Sequence, residues 1–119
     1  MLTTDAIAGT NIVTAAYSGS IGTEEMEHLR STVQQVIDRE GSVRLLTEFG
    51  DIEPGRIEPK AWIEDLRMTG ILGDIEKMAV VAGAAWLQKW TELAGGLIPG
   101  EVETFDAGQR DEARDWLRS

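Results

Sequence analysis

The stretch EKMAVVAGAAWLQKW, residues 76–90, joins a short apolar strand to a helix and indicates the fold class. Lys77 to Ala82 is a run of apolar and β-branched residues, which predicts a buried strand. Ala84 to Ala94 has apolar residues at helical spacing and ends at Gly95 and Gly96, as helices commonly do. Because a buried strand followed directly by a helix is the repeating unit of a parallel sheet, this stretch predicts an α/β protein.

The turn between that strand and helix lies where many α/β proteins bind phosphate, but its residues do not match a phosphate loop. Such loops need several glycines, so that backbone N–H groups approach the anion. Here Gly83 stands alone, followed by Ala84, Ala85 and Trp86. In the helix, Trp86 and Trp90 fall within one apolar arc, which favours packing over ligand stacking. We therefore interpret the turn as a structural joint.

Strand and helix patterns alternate along the whole chain. The predicted strands are Asn11–Tyr17, Ser42–Phe49, Lys77–Ala82 and Val102–Phe105, with a short partner strand at Asp5–Gly9 before the first of them. The predicted helices run from an N-cap at Thr23 to near Gly41, from Pro59 to about Gly73, over Ala84–Ala94 and over Gln109–Arg118. This order predicts one domain, residues 1–119, with a mostly parallel sheet of about five strands and about four helices.

Composition excludes several classes of partner. The 119 residues have a formal charge of −10 and a sequence pI near 4.4. Nucleic acids and anionic lipid headgroups bind clustered Lys and Arg, so neither is a predicted partner. The chain has no cysteine, which excludes a disulfide framework and a thiolate metal site. No targeting segment or membrane-spanning stretch is evident, so we expect a cytoplasmic protein without membrane insertion.

Four blocks of the sequence resemble a known family. They are GSVRLLTEFGD at 41–51, Trp62 with EDLRMTG at 64–70, MAVVAGAAWLQKW at 78–90, and VETFDAGQRDEARDWL at 102–117. Together they resemble the bacterial SpoIIAA-like family, which is similar in fold to anti-sigma-factor antagonists (STAS domains) and related in shape to CRAL-TRIO lipid-binding domains. The resemblance implies a (βα) superhelical sandwich with a mixed sheet that opens with a hairpin, and it implies little about activity.

The resemblance also implies one regulatory option, the phosphoswitch of the anti-sigma antagonists. There a serine at the start of the helix after the central strand accepts phosphate. The matching segment here, GDIEPGRIEPK at 50–60, contains no serine or threonine. Thr47 is the nearest hydroxyl, but it lies within a predicted strand, where a kinase has poor access. The sequence therefore predicts no phosphoacceptor.

The helix predicted at 59–73 is apolar on most of its sides. Glu64, Asp65 and Arg67 interrupt its apolar surface. A helix that covers a sheet needs one apolar stripe, so a second apolar face must contact a loop, a second subunit or a ligand. The candidate contact residues are Trp62, Leu66, Met68, Ile71 and Leu72.

Two functions are compatible with that helix. The first is a non-enzymatic binding or regulatory module that associates with a protein partner or forms a homodimer. The alternative is a carrier of a small apolar or lipid-like ligand, held in a pocket beside the helix and lined by the same residues.

An enzyme or a metal site is a weaker hypothesis. Gly19-Ser20-Ile21-Gly22 is close to a nucleophile elbow, but Ser18 stands where the first glycine belongs. His28, the only histidine, is expected on a helix flank exposed to water. An acidic group could hold a hard cation, but it matches no calcium loop and favours a solvated surface; it consists of Glu48, Asp51, Glu53 and Glu58. We predict no catalytic residue, metal or cofactor.

Overall fold

The computed structural model describes residues 1–19, 22–50, 70, 72–83 and 100–119. Within these ranges the elements are β1 Leu2–Ala6, β2 Ile12–Tyr17, α1 Thr23–Glu40, β3 Val43–Phe49, a 3-10 helix Leu72–Asp74, β4 Ile75–Val81, β5 Glu101–Phe105 and α2 Arg110–Arg118. The strands form one sheet in chain order. β1 is antiparallel to β2, and every later pair is parallel. The predicted mixed, mostly parallel five-stranded sheet is confirmed.

The described residues contain two α-helices rather than about four. These are α1 and α2, which match the predictions at 23–41 and 109–118. The helix predicted at Ala84–Ala94 and most of the one predicted from Pro59 lie outside the described residues, and they stay predictions.

β1 and β2 form the hairpin that the family resemblance implies. Leu2 pairs with Tyr17 and Ala6 pairs with Val13. The partner strand was predicted at Asp5–Gly9, and this position is wrong. The turn closes through the N–H of Ile7, which donates to the carbonyl of Ile12 at 3.0 Å. Residues 8 to 11 therefore form the turn, and the strand lies before it.

α1 covers one side of the sheet with the apolar stripe that helical spacing in the sequence predicts, formed by Met26, Leu29, Val33, Val36 and Ile37. Leu29, Val33, Val36 and Ile37 are buried, and Met26 is partly buried against the same core. The helix ends at Gly41, whose N–H donates to the carbonyl of Ile37 at 2.7 Å.

The predicted N-cap of α1 is wrong by one residue. Gly22 is the N-cap and Thr23 is the first helical residue. The side chain of Glu25 accepts the N–H of Gly22 at 3.3 Å, which provides one half of a capping box without a hydroxyl.

The central strands bury side chains on both faces. On the α1 side, Val13, Leu45 and Met78 join one apolar core, while Leu46, Ala79 and Val81 face the opposite side. Covered parallel strands consist of almost continuous apolar runs, which explains the composition of β3 and β4.

α2 covers the opposite side of the sheet, over β3, β4 and β5. Ala113 and Leu117 are fully buried beneath it. Trp116 is partly buried, and its ring lies 6.2 Å from the ring of Phe105. Trp116 therefore closes the margin of this second core.

The helix predicted from Pro59 to about Gly73 is wrong at its end. Gly70 lies in a turn with φ of 77°, a left-handed conformation that terminates a helix and that glycine adopts without strain. The 3-10 helix Leu72–Asp74 then leads directly into β4.

Candidate functional site

The predicted contact residues lie almost entirely beyond the described part of the chain. Trp62, Leu66, Met68 and Ile71 are outside it, and Leu72 is the first residue of the 3-10 helix. The described structure does reveal the sheet surface that precedes and follows this segment. The segment leaves β3 after Phe49 and Gly50. The described chain resumes at Gly70, one 3-10 turn before β4.

That sheet surface is covered unevenly by α1. Among the described elements, α1 lies over β1, β2 and β3. Met78 and Val80 of β4, and Ala82 directly after it, point to the same side and are 0% exposed. β4 is therefore buried on its α1 side, although α1 itself lies over β1, β2 and β3.

The carboxyl ends of β2 and β3 are joined by an aromatic pair. The rings of Tyr17 and Phe49 stack with centroids 5.0 Å apart and planes inclined by 22°. The N–H of Gly50 donates to the carbonyl of Tyr17 at 2.8 Å, which extends the parallel pairing by one residue. The segment after β3 therefore starts at this paired edge.

Thr47, the hydroxyl nearest in the sequence to the segment at 50–60, is 1% exposed. A buried hydroxyl within a central strand is inaccessible to a kinase, so the phosphoswitch of the anti-sigma antagonists has no acceptor at Thr47. The remainder of the matching segment, residues 51–60, lies outside the described residues.

The residues considered for catalysis do not converge in the described structure. His28 is exposed on α1, as predicted. Ser20 and Ile21, and with them the centre of the elbow-like motif, are outside the described residues. Glu48 pairs with Arg110 at 3.2 Å, which links β3 to α2. Asp51, Glu53 and Glu58 are not described, and the described residues contain no group of His, Asp and Glu suited to a metal ion.

A cluster that the sequence analysis missed fixes the end of α2 to the sheet. Arg44 of β3 donates through Nε to the carboxylate of Glu76 at 2.7 Å, and Nη1 donates to the carbonyl of Ser119 at 3.1 Å. Lys77 of β4 donates to the Trp116 carbonyl at 3.3 Å and lies 5.0 Å from the centre of the Trp116 ring. Cations near the carboxyl end of a helix stabilise its unpaired carbonyls.

Among the described residues, two carboxyl groups have pKa values that are shifted by structural contacts. Hydrogen bonds from Arg44 lower the pKa of Glu76 below its ordinary value. A hydrogen bond from the backbone N–H of Leu2, with a second from Gly22, lowers the pKa of Glu25. Glu25 therefore connects the start of α1 to the start of β1. Both perturbations follow from contacts that hold elements together.

No helix in the described ranges is long and apolar enough to cross a membrane.

A mixed sheet that opens with a hairpin and is covered by a helix on each face defines a small α/β class of protein. The model of the SpoIIAA-like family matches residues 12–118, and the chain belongs to that family.

The fold is also found in a solved structure. A crystal structure of an uncharacterized protein from the DUF3478 family, with a SpoIIAA-like fold and from Shewanella loihica PV-4, has a TM-score of 0.62. It is 18% identical in sequence, over 98% of this chain and 92% of the other. This likeness concerns the fold. No curated protein matches the chain.

Proposed function

We propose that the chain is a non-enzymatic binding or regulatory module that acts by reversible protein association. The contact surface is the second apolar face of the helix predicted from Pro59, which contains Trp62, together with Ile71 after the turn at Gly70. We propose a second copy of the chain as the first partner to test, because an apolar face is complementary to itself across a two-fold axis.

The observation that supports this most directly is the burial of β4. Met78 and Val80 are fully buried on the side where α1 lies over β1, β2 and β3. Parallel β3 and β4 require a crossover, and the right-handed rule favours the face that α1 already occupies. We propose that one apolar side of the predicted helix covers the buried side of β4. Its other apolar side is then available to a partner.

Native mass spectrometry of the freshly purified protein, repeated after organic extraction, separates this function from the alternative. An association module is a dimer of two bare chains before and after extraction. A monomer that loses mass on extraction identifies a carrier of a small apolar molecule and rejects the association module. A monomer without an adduct rejects self-association.

A further inference from the structure

The two edges of the sheet differ in how their backbone groups are used. At the β1 edge, the N–H of Ser18 donates to the carbonyl of Met1 at 2.7 Å, so the odd-numbered residues of β1 face β2. The backbone of Leu2 then points outwards, and its N–H donates to the carboxylate of Glu25. The outward N–H of Leu2 at this edge is therefore bound by Glu25 of α1.

The β5 edge has no such cover among the described residues. The N–H of Ala82 donates to the carbonyl of Phe105 at 3.1 Å, so Phe105, Glu103 and Glu101 direct their backbone groups towards β4. Because backbone direction alternates along a strand, Val102 and Thr104 direct their N–H and C=O groups away from the sheet. Within the described ranges, no hydrogen bond to these outward groups is formed.

The side chains of β5 indicate which strand this edge accepts. Glu101 and Glu103 project from the same face of β5, and both are exposed. Glu101 has its side chain 73% exposed, with Lys77 3.9 Å away, and Glu103 forms no ion pair with a described residue. An added antiparallel strand would place its own residues opposite these glutamates in the non-hydrogen-bonded positions, where side chains are closest.

Self-pairing at this edge is opposed by the same charges. The antiparallel pairing that uses both outward residues sets Val102 opposite Thr104 of the second copy. It therefore sets Glu103 directly opposite its own counterpart, and like charges in that position are destabilising. Charged residues on an edge strand commonly block association of identical sheets in this way.

We propose that β5 is a docking edge for an extended segment of a partner protein with Lys or Arg at alternate positions, which adds as a sixth strand. The outward groups of Val102 and Thr104 bind its backbone, and Glu101 and Glu103 select its basic side chains. This proposal rests on the proposed function as a protein-binding module, but it uses a surface separate from the helix predicted at 59–73.

The test is a titration of the ¹⁵N-labelled protein with the peptide acetyl-Lys-Val-Lys-Val-Lys-amide, followed by NMR shifts of backbone amides. The expected result is a shift concentrated at Val102 and Thr104. Methylation of both valine nitrogens of the peptide removes the donors that face β5 and abolishes binding. The peptide acetyl-Glu-Val-Glu-Val-Glu-amide does not bind the native protein.

Charge reversal on the protein provides the matched comparison. Glu103→Lys lowers the affinity for the basic peptide by roughly tenfold, because one attractive cross-strand pair becomes repulsive. Glu27→Lys makes the same change of net charge on exposed α1 and leaves the affinity within about twofold, since distant surface charges are screened. Equal effects of the two variants overturn the proposal. The proposal is also overturned if the methylated peptide binds, if the amide shifts are spread over the acidic surface, or if the basic peptide does not bind.

Failure here is distinguishable from failure of the proposed function. Ile71→Asp tests the apolar segment at 59–73 and leaves β5 intact. A native protein that forms a dimer but does not bind the basic peptide therefore rejects only the docking edge.

Discussion

Arg44 on β3 binds the carboxylate of Glu76 on the neighbouring strand β4, and the same guanidinium donates to the carbonyl of Leu117 at the end of α2. One side chain therefore ties two parallel strands to the helix that covers them. The Arg44 side chain is 21% exposed and that of Glu76 is 43% exposed. The contact is partly shielded from water, and it makes stability sensitive to acid.

The first prediction concerns Glu76→Gln. The pKa of Glu76 is lowered in the folded state from an ordinary value of 4.5, so the pair stabilises the fold above that pH and this contribution is lost as pH falls through the folded pKa. We expect a loss of about 0.5–1 kcal/mol in the free energy of unfolding at neutral pH, and a smaller loss near pH 3. Urea unfolding at both pH values measures this.

Glu27→Gln is the control for that experiment, because Glu27 is exposed on α1. It should match the native protein at both pH values. A Glu76→Gln variant as stable as the native protein at neutral pH would show that the pair contributes nothing.

The second prediction concerns Gly100, where two strands approach closely at the start of β5. A Cβ at this position would lie 2.3 Å from the carbonyl oxygen of Ile75 and 2.8 Å from that of Glu76. Both contacts are with backbone, so the strand must move. Gly100→Ala should lower the free energy of unfolding by about 1–3 kcal/mol, measured by urea unfolding.

Gly108→Ala is the matched substitution, because a Cβ there meets no atom within 4 Å. It should leave stability nearly unchanged. Equal stability of the two alanine variants would contradict the close approach of β4 and β5 at Gly100.

The third prediction concerns the link between Glu25 and the first strand. Its carboxylate accepts the N–H of Leu2, so Glu25→Gln should accelerate hydrogen exchange at the Leu2 amide. In the native protein this protection should persist below the ordinary pKa of a glutamate and disappear on further acidification, because the pKa of Glu25 is lowered. Amide exchange followed by NMR gives the rate.

Glu24→Gln changes the same charge in the first turn of α1 and should not alter exchange at Leu2. If both variants exchange alike, the effect belongs to the helix dipole and not to the hydrogen bond.

The sequence predicted those features that depend on local periodicity. The stripe of Leu29, Val33 and Val36 identified α1 and its buried side. The apolar run of β4 identified a covered parallel strand. These patterns are fixed by helix and strand geometry, so neighbouring residues suffice to recognise them.

The features that were missed depend on residues distant in the chain. The position of β1 follows from pairing across the hairpin, because of its five residues Leu2 alone is buried. The N-cap of α1 is the exception, because its partner Glu25 is only three residues away; a glycine N-cap has no side chain that would signal it in the sequence. The Arg44 cluster requires knowledge of where α2 ends relative to β3. Alternation does place Arg44 on the α2 side of β3, which was the available signal.

The central prediction concerns the apolar segment at 59–73. A carboxylate in an apolar contact is strongly disfavoured unless it is paired, so Ile71→Asp should disrupt association while the fold is retained. Trp62→Ala should act in the same direction by removing a large apolar contact. Gln35→Asp, on the exposed side of α1, is the matched control.

Sedimentation velocity of the native protein and these variants over a range of concentrations tests the account most directly. The account predicts a dimer for the native protein and for Gln35→Asp, and a folded monomer for Ile71→Asp. A native protein that is monomeric at every concentration, or a dimer that persists in Ile71→Asp, would contradict it.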